Sequence, residues 1–248
     1  RVLVIDNDSQ HNLSAMMGTG SCSPNIRDVY LAAKGERLAT LLRSIRTTAI
    51  ERLHIVTSCR ELTDADITDE RLLAETLRSG TLNAHYDYIL IDNAPGLARL
   101  QESSIHAADE IFTPIELRQF AVDGVVEMAE ILADRFGKPT GITRIIPNFY
   151  KPTKRQKSFY AALRRLFGDA VTATAIPVDN VFDELITENK VLFLHRLSSK
   201  AAAYYLKLMH ELFNLDEEEV WNRVQQQRSE AVSREARERY YQNRENRE

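Results

Sequence analysis

Two strand ends in this chain carry carboxylates placed for chemistry. Asp6-Asn7-Asp8-Ser9-Gln10 follows the apolar run Val2-Leu3-Val4-Ile5, and Asp92-Asn93-Ala94-Pro95-Gly96 follows Tyr88-Ile89-Leu90-Ile91. Two carboxylates one residue apart at a strand end can orient a metal-bound water and a nucleophilic water. An apolar run ending in Asp matches a Walker-B strand, whose carboxylate holds Mg²⁺ through water. Either signal alone is weak, because an Asp at a strand end often only caps a loop. A third group is cationic. Lys151, Lys154, Arg155, Lys157, Arg164 and Arg165 fall within 15 residues that contain no acid, with Phe159 and Tyr160 among them. This is either an ordinary solvated helix face or a footprint for phosphate backbones that reads no bases. Lys190, Arg196 and Lys200 would extend it.

These groups need a scaffold, and the apolar pattern supplies one. Strand-like runs recur at Val2–Ile5, Leu53–Thr57, Tyr88–Ile91, Glu110–Ile115, Gly141–Ile146 and Ala170–Ile176, most of them nearly continuous in apolar residues. Continuous rather than alternating runs predict strands covered on both faces, as in a parallel sheet. Between them, Ala121–Phe136, Lys154–Phe167 and Ser199–Phe213 place apolar residues at spacings of three and four, the period of a helix packed on one side. Alternating β and α units predict an α/β, doubly wound, mostly parallel sheet with helices on both faces. In such sheets ligands sit at the carboxyl ends of the strands, where Asp6, Asp8 and Asp92 fall.

Composition narrows the class. The chain has 248 residues, 44% of them apolar, with 32 Lys and Arg against 36 Asp and Glu. A wholly basic nucleic-acid binder is excluded, though a local basic patch is not. Cys22 and Cys59 form no CxxC, which argues against a disulfide scaffold or a cysteine-built zinc site and fits a reducing cytosol. No apolar run approaches the roughly 18 residues that span a bilayer, and no signal peptide opens the chain. From Asp216 onward 16 of 33 residues are charged, with signs mixed. That predicts a solvated helix, or a tail that orders on a partner.

Arg1-Val2-Leu3-Val4-Ile5-Asp6-Asn7-Asp8-Ser9-Gln10-His11-Asn12-Leu13-Ser14 resembles the RVLLIDLDPQGNLS segment of ParA-type partition ATPases. Residues 86–95 resemble their YDYIIIDTPP, residues 108–115 their ADEVLIPV, residues 120–124 their FALEGL, and Phe167 to Pro177 the segment ending in their IP-x-N loop. The set follows the family's order over residues 1–213, leaving 214–248 as a charged helical extension. The resemblance implies a deviant-Walker P-loop ATPase of the MinD/ParA class. Such proteins bind ATP with Mg²⁺, form an ATP-dependent homodimer and bind DNA without sequence preference. A ParB-type adaptor stimulates their hydrolysis, and plasmids, chromosomes or other cargo are thereby positioned. By position, Asp6 would meet Mg²⁺ through water, Asp8 would orient the attacking water, and Asp92 would be the Walker-B carboxylate. Asn148 would bond adenine, and Pro177 and Asp179 would lie in the loop passing the base, although Pro and Asn at strand ends are commonly turn residues. The expected location is the cytoplasm, on the nucleoid.

Departures from the family accompany the resemblance. Its KGGVGKT segment, 20–25 residues before the RVLLID strand, has no counterpart here, and nothing matches GxxxxGK followed by Ser or Thr. Without that loop there is no backbone cradle or lysine for the phosphates. Together with an opening Arg in a buried-strand pattern, this leads to the expectation of an incomplete sequence lacking an upstream strand, phosphate loop and helix. The alternative is a non-hydrolysing ParA-like regulatory or scaffolding protein that acts through protein partners. Ser9, His11 and Asn93 also replace family residues around the two acidic strand ends. Residues 223–248 lack the apolar stripe of a MinD-type membrane helix, so no membrane partner is expected. The cysteines do not sit where the superfamily's iron proteins bind a cluster.

Overall fold

The computed structural model describes residues 1–20, 22–137, 141–216, 218–226 and 229. The chain divides into two compact units, Arg1–Asp109 and Glu110–Glu248.

The first unit runs β1 (Val2–Asn7), α1 (Asn12–Met16), α2 (Ile26–Leu31), α3 (Arg37–Ser44), β2 (Ile45–Thr47), β3 (Leu53–Val56), α4 (Leu72–Leu77), α5 (Gly80–Asn83), β4 (Tyr88–Asn93) and α6 (Arg99–Ala107). Its sheet has the order β2-β3-β1-β4. β1 pairs in parallel with β3 and β4, and β2 adds an antiparallel edge to β3. Central β1 is buried from Leu3 through Asn7, as a continuous apolar run predicts. Leu3 and Ile5 enter a core with Ile26, Val29 and Tyr30 of α2, Leu41 of α3, Leu73 of α4 and Leu100 of α6. β4 departs from the expectation of cover on both faces. Ile89 and Ile91 pack on this core, but Tyr88 and Leu90 on the alternate face are 49% and 45% exposed. Among the described residues β4 stands at the end of this unit's strand order, beside β1.

The second unit runs β5 (Phe112–Glu116), α7 (Gln119–Phe136), β6 (Arg144–Asn148), α8 (Lys154–Phe167), α9 (Val181–Thr187), α10 (Leu192–His195) and α11 (Lys200–Phe213). β5 and β6 pair in parallel around the α7 crossover. Val122, Val125 and Leu132 form the buried stripe of α7, and Gly137 closes the helix at φ 58, a conformation that favours glycine. Ile146 packs with Ile176 and with Leu208 of α11. The Ala170–Ile176 run forms no strand. It makes isolated parallel bridges, Ile145 to Val171 and Tyr150 to Pro177. Its Ala173 and Thr174 amides donate instead to the Glu211 carboxylate on α11, so they are not available to a ladder. Residues 218–226 are helical, with Arg223 paired to Glu219 one turn back; most of the charged extension beyond lies outside the described residues.

Each unit thus has its own sheet, four-stranded and mostly parallel in the first and two-stranded and parallel in the second, alternating with helices in the α/β class that the sequence pattern predicts. Among the described residues no helix is long and apolar enough to cross a membrane.

Candidate nucleotide and metal site

The carboxylates converge because β1 and β4 are in register: Asp6 is the Cα partner of Asp92. Asp6 is fully buried. Its Oδ2 accepts from the backbone N–H and the hydroxyl of Ser14, at 2.8 and 2.6 Å, and its Oδ1 accepts from the Asp8 amide at 3.3 Å. Ser14 is itself buried on α1, and its Oγ accepts from the Ser58 amide just beyond β3, at 3.0 Å. Burying a carboxylate requires such donors. They hold Asp6 in place, with both of its oxygens engaged.

Asp8 differs. It is half-buried, its Oδ1 accepts from Gln10 N at 2.9 Å, and its carbonyl accepts from His11 N at 2.9 Å. This tight turn begins at Asp8, directly beyond the end of β1. His11 adopts φ 46, a conformation that favours the glycine of the ParA-type DPQG sequence. Asp92 lies at the exposed end of β4. Desolvation first, then the charges of Asp6 and Asp8, raise its carboxyl above the usual range.

That mutual repulsion is what a cation would relieve, and an all-oxygen donor set suits Mg²⁺. Among the described residues no group of three or more His, Cys, Asp or Glu side chains is arranged to hold a metal ion.

Ser14 was not among the residues the sequence singled out. It lies eight positions beyond Asp6, and only the turn into α1 returns it. Ser14→Ala should strip a donor from buried Asp6 and leave the Ser58 amide unpaired. The expected loss is about 1–3 kcal/mol in a urea titration; a loss below about 0.3 kcal/mol would mean that water replaces the hydroxyl.

In the second unit, Asn148 ends β6 and its Oδ1 accepts from Phe149 N at 2.9 Å. Ile176 N donates to Pro147 O at 2.8 Å and Tyr150 N to Ile176 O at 2.9 Å, which seats Pro177 beside the β6 end. Pro177 thus pairs with Tyr150, two residues beyond Asn148. Phe149, 53% exposed and at φ 49, stands between Asn148 and the Tyr150 that bridges to Pro177. Asp179 follows, but its Oδ1 accepts from Val181 N at 3.1 Å, serving the first turn of α9.

The basic segment also divides. Lys151, Lys154, Arg155, Lys157 and Arg165 are exposed. Arg164 is half-buried, donates to Val171 O at 2.6 Å and pairs with Asp169 at 3.8 Å, so it ties α8 to the following segment. Arg164 and Arg165 lie in the last turn of α8, where cations favour the helix dipole; Lys154, Arg155 and Lys157 lie at its start, where they oppose it.

Residues 1–136, more than half of the chain, match the family described as AAA domain. A ParA family protein of Chlamydia muridarum is 27% identical over 222 residues, spanning 87% of this chain and 86% of its own. The chromosome-partitioning ATPase Soj of Thermus thermophilus is 28% identical, spanning 86% and 83%. Among solved structures, the septum site-determining protein MinD of Pyrococcus horikoshii, complexed with Mg-ADP, superposes with a TM-score of 0.65 at 24% identity, over 86% of this chain and 83% of that one. With the Asp6–Asp92 strand pair in a mostly parallel α/β sheet, these similarities place the chain in the AAA-domain family, among the P-loop ATPases of the ParA/MinD type.

Proposed function

We propose that this chain forms the body of an ATP-driven partition or cargo-positioning ATPase. It would dimerise on ATP, bind duplex DNA without sequence preference, and release it when a ParB-type partner stimulates hydrolysis. The observation that carries the reading is the convergence of Asp6, Asp8 and Asp92 at paired strand ends, close enough that the first two charges raise the third. The Mg-ADP held by the MinD relative supports the nucleotide and metal. When bound, Mg²⁺ would neutralise phosphate charge. Asp92 and, more remotely, Asp6 would hold its waters. Asp8, with its carboxylate on the turn beyond the strand, would orient the attacking water and take up its proton. Asn148 would bond the base edge, with Pro177 and Asp179 in the loop beside it. The Lys151–Arg165 segment would meet the DNA backbone, and the work would take place on the nucleoid in the cytoplasm. Residues 1–213 would make up the ATPase domain, with 214–248 as its charged extension.

The reading requires a phosphate-cradling loop, and no GxxxxGK pattern occurs in these 248 residues. Its test uses the full-length protein. Fluorescent-duplex binding should appear with Mg-ATP and vanish with ADP or EDTA, and DNA should not need a particular sequence. A full-length protein that binds no nucleotide at millimolar ATP would overturn the ATPase reading and favour the non-hydrolysing scaffold.

A further inference from the structure

Between Asp6 and Asp8 lies Asn7, the last residue of β1, which is fully buried. The ParA-type segment has Leu at this place, and Thr at that of Asn93; in this chain the two departures are register partners across β1 and β4. They are also bonded. Asn7 Nδ2 lies 2.9 Å from Ser104 Oγ, 3.1 Å from Leu100 O and 3.2 Å from Asn93 Oδ1, so its two N–H groups serve three acceptors. Asn7 Oδ1 accepts from the Tyr30 hydroxyl at 3.1 Å. Ser104 Oγ donates to Asn93 Oδ1 at 2.7 Å. Burial pushes the Tyr30 phenol up to about 12, so it stays a donor throughout the neutral range.

A buried amide costs free energy unless every polar atom is paired, and a Leu would fill the same place without that requirement. The network is therefore not what an apolar core needs. Its specific effect is at one point. It ties the Asn93 side chain, directly after Asp92 and at the start of the Ala94-Pro95-Gly96 turn, to α2, β1 and α6. Gly96, at φ 118, ends that turn in a conformation that favours glycine.

We propose that Asn7, with Tyr30 and Ser104, is a clamp that fixes the end of β4 and its turn against the Asp6–Asp8 end of β1. Asn7 is then a positioning residue for hydrolysis, acting through Asn93 and Asp92. The hydrolysis arm rests on the ATPase reading above; the positional arm does not.

The test compares full-length Asn7→Leu and Ser104→Ala with the parent. Ser104→Ala removes a hydroxyl from a helix and guards against misfolding of the first variant. Amide hydrogen exchange of residues 92–97 in nucleotide-free protein should rise about tenfold in Asn7→Leu, and by less in Ser104→Ala. In Asn7→Leu, kcat for ATP should fall about tenfold with KM within about twofold, because misplacing a reacting group affects the chemical step rather than binding. The Asn7→Leu/Asn93→Thr double variant, which restores both family residues, should recover part of kcat. Exchange within twofold of the parent in both single variants overturns the clamp. Loosened exchange with unchanged kcat, or with only KM raised, overturns the positioning role. If the parent turns over no ATP, the ATPase reading fails instead, and exchange alone decides the clamp.

Discussion

Asp8→Ala in the full-length protein is expected to bind ATP as tightly as the parent and to hydrolyse it at least about a hundredfold more slowly, the usual contribution of a positioned general base. The three carboxylates are not equivalent, and this is what singles out Asp8. Asp6 is buried and already accepts from Ser14 N, Ser14 Oγ and Asp8 N, so its oxygens are committed. Asp92 is held toward its protonated form by desolvation and by its two acidic neighbours. Its repulsion is relieved by a cation, which suits it to the ion rather than to the water. Asp8 is half-buried, and the hydrogen bond that its carboxylate accepts, from Gln10 N, closes its own turn. Losing that bond costs about 1 kcal/mol or less, so the variant should melt within a few degrees of the parent. With ATP retained, the dimer and its DNA complex should persist. Turnover, fluorescent-nucleotide affinity and melting temperature together decide the matter. Unchanged turnover removes Asp8 from the reaction, and lost nucleotide affinity would move its role to binding.

What could be read from sequence, and what could not, divides along a physical line. Helix α8 is found where its period predicts, Lys154–Phe167, because its spacing and Thr153 cap are local signals. The strand ends bearing Asp6 and Asp92 were legible for the same reason. Ser14, Tyr30 and Ser104 were not, because each reaches the strand ends only through tertiary packing. β2 has three residues and one partner strand, too little for a periodic pattern. The Ala170–Ile176 run looked like a strand because its apolar residues, Val171 and Ile176, are indeed buried. Its amide partner, Glu211, lies dozens of residues away on α11. Charge counting also treated Arg164 like its neighbours, whereas Val171 O and Asp169 engage it.

The division within the basic segment sets the expected outcome for DNA. Lys154, Arg155 and Lys157 occupy the first turn of α8, which contains no acidic residue. Cations there oppose the helix dipole by roughly 0.3–1 kcal/mol each, so helix stability does not account for their placement. Arg155 recovers part of this by lying 5.6 Å from the Phe159 ring centroid. Replacing all three with Ala should therefore leave the melting temperature unchanged or slightly raised. DNA affinity should move the other way. Each lost phosphate contact removes about 0.9 from the slope of log affinity against log salt, so the slope should flatten by about 2.7 per protomer. Two protomers joined on ATP would present two patches, and their linkage would enlarge the loss. At low salt, binding to all duplex sequences should weaken at least about a hundredfold, with DNA-free ATP hydrolysis little changed. Arg164→Ala is the contrasting variant. Its side chain is committed to Val171 O and Asp169, so it should lower the melting temperature while changing the salt slope by less than one unit. A triple variant that binds DNA as tightly as the parent at low and moderate salt would show that the start of α8 is a solvated face and that the DNA surface lies elsewhere.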